Sequence, residues 1–258
     1  TATTEIYTLS LHDALPIYVI ISGGGTGVGA ATAQAFSKVG AKVTILGRTE
    51  KSLQAQGLSY QICDVTDADA VKIAFDSARA EHGPISTVVA NAGAAVSVPF
   101  AKMTTDSLSN MLDVNIAGVF NCWQAALLDM KEAGRGQMIV IASTAGLKGY
   151  PYVAGYCAAK HGVVGLTRAL SLELAPLGIT VNAICPGFTE TPMLDRSIEN
   201  ITMMTGMSNE DAVKSLKRGN PQKRFIQVDE IAGSAVWLCS ESARSVNGHT
   251  LSLNGGEL

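Results

Sequence analysis

The sequence lacks most of what would mark a secreted, membrane-embedded or nucleic-acid-binding chain. There is no Lys or Arg before Lys38, so a secretory n-region is missing, and Glu5, His12 and Asp13 interrupt the early apolar residues. No uninterrupted apolar run comes near the ~20 residues that span a bilayer. The formal net charge is −3, which gives nucleic acid or an anionic membrane no electrostatic purchase. The five cysteines (Cys63, Cys122, Cys157, Cys185 and Cys239) form no C-x-x-C pair and no zinc spacing. An odd, scattered set in a chain of 258 residues is expected in a reducing compartment, the cytoplasm, as buried small apolar side chains. No His/Cys/Asp cluster has ligand spacing, so no metal is expected. Internal repeats and low-complexity tracts are also absent.

What is present is 47% hydrophobic residues with 26 glycines, enough for one buried sheet with helices on both faces. Apolar runs alternate with helical periods. YVIIS, KVTILG, YQICDV, ISTVVANAG, GQMIVIAS, ITVNAICPG and GHTLSLNGG read as strands. Between them lie a helix with Val28, Ala31, Ala35 and Phe36 on one face, a very short helix, and a helix ending at Gly83. Two long helices follow, near Ser107–Ala133 and Tyr156–Pro176, and a last one over VDEIAGSAVWLCSESA. Strict alternation predicts an α/β fold, a doubly wound parallel sheet of Rossmann type. The long irregular stretch at about 188–227 predicts a small helical lid on a single domain, 18–258.

SGGGTGVGAA sits between the first strand and the first helix, where an anion cradle belongs. Gly23 permits the turn, Gly27 lets the backbone approach a pyrophosphate, and Gly29 lets the helix pack close to the sheet. Free N–H groups and the positive helix end then face the anion.

The spacing G-x-x-x-G-x-G resembles the glycine turn of the short-chain dehydrogenase/reductase superfamily. Further landmarks follow in order: CDV at Cys63–Val65, NAG at Asn91–Gly93, Asn115, Ser143, YCAAK at Tyr156–Lys160, and PGFTET at Pro186–Thr191. The similarity runs from about Tyr18 to the end. Departures are mild: Ser22 for the usual Thr, Ala90 where Asn is common, Asn254 where Asp is frequent. The resemblance implies a nicotinamide dinucleotide held by Gly23, Gly25, Thr26, Gly27, Val28 and Gly29. It implies Asp64 and Val65 at the adenine, and Asn91, Ala92 and Gly93 at the adenosine ribose. Pro186, Gly187, Thr189 and Thr191 fall at the nicotinamide end.

An NAD-selective site usually places a carboxylate at the end of the second strand. Here Gly47 stands in that position and Arg48–Thr49 follow. Arg48 offers a charge-assisted fork to a 2′-phosphate and Thr49 a hydroxyl, which favours NADP(H) over NAD(H), with use of both as the alternative.

Tyr156 and Lys160 are four apart on a predicted helix and share a face. Ser143 ends a strand at the carboxyl edge of the sheet. The resemblance implies Tyr156 as acid/base, Ser143 as hydrogen-bond donor to the substrate oxygen, and Lys160 as holder of the nicotinamide ribose. The Lys160 ammonium is expected to favour the Tyr156 phenolate. Asn115 would tie a water to Lys160; its alternative is an Asn that kinks the helix by bonding its own backbone. His161 points about 100° away from Lys160 and is expected to be structural.

The predicted activity is hydride transfer between the nicotinamide and a carbonyl or secondary alcohol. CPGFTETPML…NPQKRF…EIA resembles 3-oxoacyl-thioester reductases, polyketide ketoreductases and 3-hydroxyacyl or hydroxybutyrate dehydrogenases. Another ketone, sugar or cyclic alcohol remains open as substrate, as does a non-catalytic cofactor-binding regulator. In the lid, Met193, Met203, Met204 and Met207 form either an adaptable pocket wall or ordinary packing. Arg196, Lys217, Arg218, Lys223 and Arg224 either meet a phosphopantetheine or coenzyme A tail or form a solvated face. The family resemblance also implies a homotetramer.

The first seventeen residues, TATTEIYTLSLHDALPI, share none of the usual character of a first strand and begin without Met. They resemble one reading frame of a widely used sequencing adapter. Residues 1–17 are therefore expected to be a non-native segment, with the native frame resuming at Tyr18.

Overall fold

The computed structural model describes residues 17–258. The expectation about the first segment lies outside the described residues except at Ile17, which is buried and whose carbonyl accepts from the Lys42 N–H.

Seven parallel strands form one sheet: β1 (Tyr18–Ser22), β2 (Lys42–Gly47), β3 (Ser59–Ile62), β4 (Thr87–Ala90), β5 (Gly136–Ile141), β6 (Ile179–Pro186) and β7 (Thr250–Leu253). Their order is β3-β2-β1-β4-β5-β6-β7, so the winding reverses between β1 and β4. That reversal opens a crevice at the carboxyl ends of the strands, where doubly wound folds hold ligands. The period of two in β1 divides its side chains between two cores. Tyr18 and Ile20 face the layer of α3 (Ala68–His82), α5 (Gly118–Ala133) and α6 (Ala154–Leu174). Val19 and Ile21 face α1 (Gly27–Lys38) and α9 (Val228–Leu238), with Leu53 of the short α2 (Glu50–Gln54). Tyr18 remains satisfied in its core through Thr44 Oγ1 at 2.7 Å and the Ala78 carbonyl at 3.0 Å.

Three details differ from the sequence reading. The buried face of α1 is Gly29, Thr32, Ala33 and Phe36, with Val28, Ala31 and Ala35 only half-buried. The helix is sandwiched between the sheet and α9, so small residues set its approach. The long helix near Ser107–Ala133 is not uniform: α4 (Thr105–Leu112) passes through one π-turn, Asp113–Ala117, into α5. By length and composition Thr105–Ala133 could cross a membrane; here it lies against the domain, with Cys122, Trp123, Ala126 and Met130 buried. The stretch after Gly187 carries two helices, α7 (Pro192–Thr205) and α8 (Asn209–Lys217), which close on their own small cluster of Leu194, Ile198, Ala212 and Phe225.

Candidate active site

The glycine turn is built for close approach. Gly23 and Gly27 have φ of +66° and +54°, which a side chain would strain. A Cβ on Gly29 would run into the Gly23 carbonyl and lie 2.5 Å from Asn91 Nδ2. Gly25 is buried, and a Cβ there would meet Ser52 Oγ at 2.6 Å. Thr26 occupies the N-cap position of α1 but makes no side-chain cap, so its exposed hydroxyl and the first-turn N–H groups remain open to an anion. Val28 is half-buried beside them. Across the crevice, Thr191 Cγ2 is 3.4 Å from where a Gly27 Cβ would stand. The turn and the root of the lid therefore approach to van der Waals distance beside Gly27.

Asn91 braces this cradle. Its Nδ2 donates to the Ser22 carbonyl at 3.0 Å and to the Gly23 carbonyl at 3.2 Å, while Ser22 Oγ accepts the N–H groups of Asn91 and Ala92, both at 3.0 Å. Ser22 thus performs the service its hydroxyl suggested. The Asn91 amide is spent on the turn, which leaves the backbone of Ala92 and the exposed Gly93 to face a ribose.

At the other end, Arg48 is largely exposed and stands 3.7 Å from the Asp64 carboxylate. The Asp64 pKa is held below its ordinary value, first by the Thr66 backbone N–H and, among smaller causes, by Arg48. Thr49 precedes α2 with its side chain uncommitted to a cap. Val65 is buried against Gly118, where a Cβ would meet it at 2.6 Å. Gly47, Arg48 and Thr49 therefore present one guanidinium and one hydroxyl, and no carboxylate of their own, where an adenosine ribose would lie.

Ser143, Tyr156, Lys160 and Asn115 gather at the carboxyl edge of β4 and β5. Ser143 follows β5 and caps the next turn, its Oγ accepting the Ala145 N–H at 3.1 Å. Tyr156 and Lys160 are one turn apart on α6, with Lys160 Nζ 5.6 Å from the Tyr156 ring centre. Lys160 is 4% exposed and donates to the Ile141 carbonyl at 2.9 Å. Asn115 lies in the π-turn and makes the bond to its own helix that the alternative reading expected. Its Nδ2 bonds its own helix at Met111 O and the β4 loop at Ala94 O, both 2.9 Å. Its Oδ1 is buried with no partner and points to the same place as Lys160: a Cβ on Gly93 would lie 2.8 Å from Asn115 Oδ1 and 3.7 Å from Lys160 Nζ. An orphaned buried acceptor beside a lysine is what a bound water or ribose hydroxyl would satisfy.

Burial pushes Tyr156 up to about 12, the hydrogen bond from Ser143 pulling it back in part. Burial lowers Lys160 to about 8. Desolvation disfavours both charges.

Pro186 is buried at the end of β6. Gly187 and Thr189 follow it, the Thr189 hydroxyl donating to the Gly187 carbonyl at 2.9 Å. Thr191 caps α7 and donates to the Thr189 carbonyl at 3.2 Å. His161 is exposed and bonds only the Cys157 carbonyl of its own helix, so it stays out of the site. Sequence reading missed Lys148, Tyr150, Tyr152 and Glu257. Tyr152 takes φ +68° in the loop before α6, an uncommon conformation for a large side chain. No spacing pattern announces these residues.

A doubly wound sheet with a glycine cradle and a Ser-Tyr-Lys set at one crevice defines a dinucleotide-dependent oxidoreductase. A family model described as enoyl-(acyl carrier protein) reductase matches residues 23–257. A monensin polyketide synthase putative ketoacyl reductase of Streptomyces virginiae is 36% identical, over 92% of this chain and 95% of that protein. The 3-oxoacyl-[acyl-carrier-protein] reductase MabA of Mycobacterium tuberculosis is 32% identical, over 92% and 91%. A crystal structure of an actinorhodin polyketide ketoreductase variant with NADPH superposes with a TM-score of 0.89 at 32% identity, covering 94% of this chain and 97% of that one. The chain belongs to the short-chain dehydrogenase/reductase family and is an NAD(P)-dependent oxidoreductase acting on ketone or alcohol groups.

Proposed function

We propose that the chain is an NADP(H)-preferring 3-oxoacyl thioester reductase whose catalytic set is Tyr156, Ser143, Lys160 and Asn115. The observation that carries the reading is the convergence of Ser143, Tyr156 and Lys160 beside the glycine cradle. A bound nicotinamide dinucleotide supplies the hydride. Gly23, Gly25, Gly27, Gly29 and Thr26 hold its phosphates, and Lys160 with Asn115 holds a ribose hydroxyl and a water. Ser143 Oγ donates to the carbonyl oxygen where negative charge develops. Tyr156 gives that oxygen its proton. Burial keeps the phenol protonated, as a proton donor to the carbonyl oxygen must be.

Arg48, largely exposed and held only at 3.7 Å by Asp64, with Gly47 in place of an acidic residue, supports NADP(H); the NADPH in the actinorhodin ketoreductase agrees. The lid supports an acyl thioester. Met203, Met204 and Met207 are exposed and stand outside the cluster that packs α7 on α8, so they are free to line an apolar chain. At the end of α8 a concavity of about 320 Å³ is lined by Lys214, Lys217, Arg218 and Lys223. Arg224 is held by Glu230 at 2.6 and 2.8 Å, and Lys214 by Glu210 at 2.7 Å. Lys217, Arg218 and Lys223 suit the phosphate of a phosphopantetheine or coenzyme A tail. The enzyme domain starts at Tyr18, acts in the cytoplasm as a homotetramer through α4–α5 and α6, and has neither nucleic acid nor membrane as partner.

The test is NADPH and NADH oxidation with a panel of 3-oxoacyl thioesters, simple ketones and cyclic ketones. Preference for thioesters with NADPH is the expected result. Turnover of none, despite tight NADPH binding, points instead to a cofactor-binding regulator.

A further inference from the structure

Glu257 is 6% exposed at its side chain, although it lies just beyond the last strand. Its Oε1 accepts from Lys148 Nζ at 2.7 Å and from Tyr150 Oη at 2.7 Å. Tyr150 Oη is also 2.7 Å from Thr144 Oγ1. Because Tyr150 donates its only proton to Glu257, the Thr144 hydroxyl donates to Tyr150, and the bonds run Thr144 to Tyr150 to Glu257 in one direction. Thr144 is the neighbour of Ser143. On its other sides the same carboxylate leaves little room for a side chain on two neighbouring segments. A Cβ on Gly219, at the end of the lid, would lie 3.0 Å from Oε1, and one on Gly187, ahead of Thr189, would lie 3.4 Å from Oε2.

The segment carrying Glu257 is itself fixed. Asn254 is buried, and its Oδ1 accepts the N–H groups of Gly256 at 3.0 Å and Glu257 at 3.2 Å. Gly255 and Gly256 take φ of +63° and +91°, and a Cβ on Gly255 would collide with Asn220 at the base of the lid. Lys148 completes the unit by lying 4.9 Å over the Tyr150 ring, whose other neighbour is Phe188 of the lid root.

We propose that Glu257 is a positioning residue that fastens the Ser143–Tyr150 loop to the segment after β7, and so sets the placement of Ser143 through Thr144 and Tyr150. A buried carboxylate whose partners, Lys148 and Tyr150, both come from one loop is costly to leave half-paired, so the loop and the carboxylate move together. The dinucleotide cradle at β1, β2 and β4 is not part of this unit.

The test compares the wild type with Glu257→Gln, Tyr150→Phe and the double variant, using NADPH and whichever carbonyl the wild type reduces best. The expected result is a fall in kcat/KM of about tenfold for each single variant, with NADPH Kd within about twofold of wild type. The double variant should fall no further than the worse single one, since both act through one chain of bonds. Wild-type kcat/KM in Glu257→Gln overturns the proposal. So do additive losses, or a loss that only follows a lower melting temperature and weaker NADPH binding. The acid/base assignment is tested apart, by Tyr156→Phe, so failure here leaves that reading standing.

Discussion

Lys160 Nζ stands 5.6 Å from the centre of the Tyr156 ring, and the same burial pushes the two groups in opposite directions. Lys160 is lowered from 10.5 to about 8, and Tyr156 is raised from 10.0 to about 12. Each departs toward its neutral form. The site is thus preorganised at a cost to the fold.

That cost has a pH signature. Because the folded pKa of Lys160 lies below its unfolded value, the unfolded chain binds the extra proton between about pH 8 and 10.5, and this group makes stability rise with pH there. Below pH 8 the penalty of the buried charge is fully present, about 3 kcal/mol. Lys160→Met should therefore melt higher than wild type at pH 7 without cofactor. The gap should close as pH rises through the same window. Buried Cys63, Cys122 and Cys239 titrate in both proteins and cancel in the difference; Cys185 feels the Lys160 charge, so the pair is compared in a Cys185→Ala background. Thermal melts from pH 7 to 10 check it.

Gly29→Ala should weaken NADPH binding by at least about tenfold and lower the melting temperature, since the new methyl meets the Gly23 carbonyl and Asn91 Nδ2. Fluorescence titration with NADPH reads the first and thermal melting the second.

Arg48→Gln should raise the KM for NADPH by about tenfold and leave that for NADH within about twofold, because one charge-assisted pair to a 2′-phosphate is lost. Equal effects on both cofactors would remove Arg48 from the phosphate subsite.

Charge reversal in the lid concavity separates a phosphate contact from a general lid effect. Lys217→Glu with Arg218→Glu should raise KM about tenfold or more for a coenzyme A thioester. It should leave a phosphate-free N-acetylcysteamine thioester of the same acyl group little changed. Steady-state kinetics on the pair of substrates decides it.

The parts legible in the sequence are those whose partners are near in the chain or fixed by strand order. The glycine turn, Arg48 after β2, Ser143 at the end of β5 and the Tyr156–Lys160 pair all lie where their spacing put them. The π-turn at Asn115 was not legible, because one extra residue in a helical turn leaves the apolar period almost unchanged. The burial of α1 through Gly29 and Thr32 instead of Ala31 and Ala35 was set by α9, some 200 residues away. Glu257 carried no signal at all: its chemistry depends on Lys148, Tyr150 and Gly219, which only the fold brings together. The upward shift at Tyr156 carried no signal for the same reason, since burial is a tertiary property.

The most direct measurement is kcat/KM for NADPH-dependent reduction of a 3-oxoacyl thioester by wild type and by Tyr156→Phe, with NADPH Kd determined on both. The predicted result is a loss of at least about a thousandfold in turnover with NADPH affinity within about twofold of wild type. A Tyr156→Phe enzyme that turns over like wild type would contradict the account.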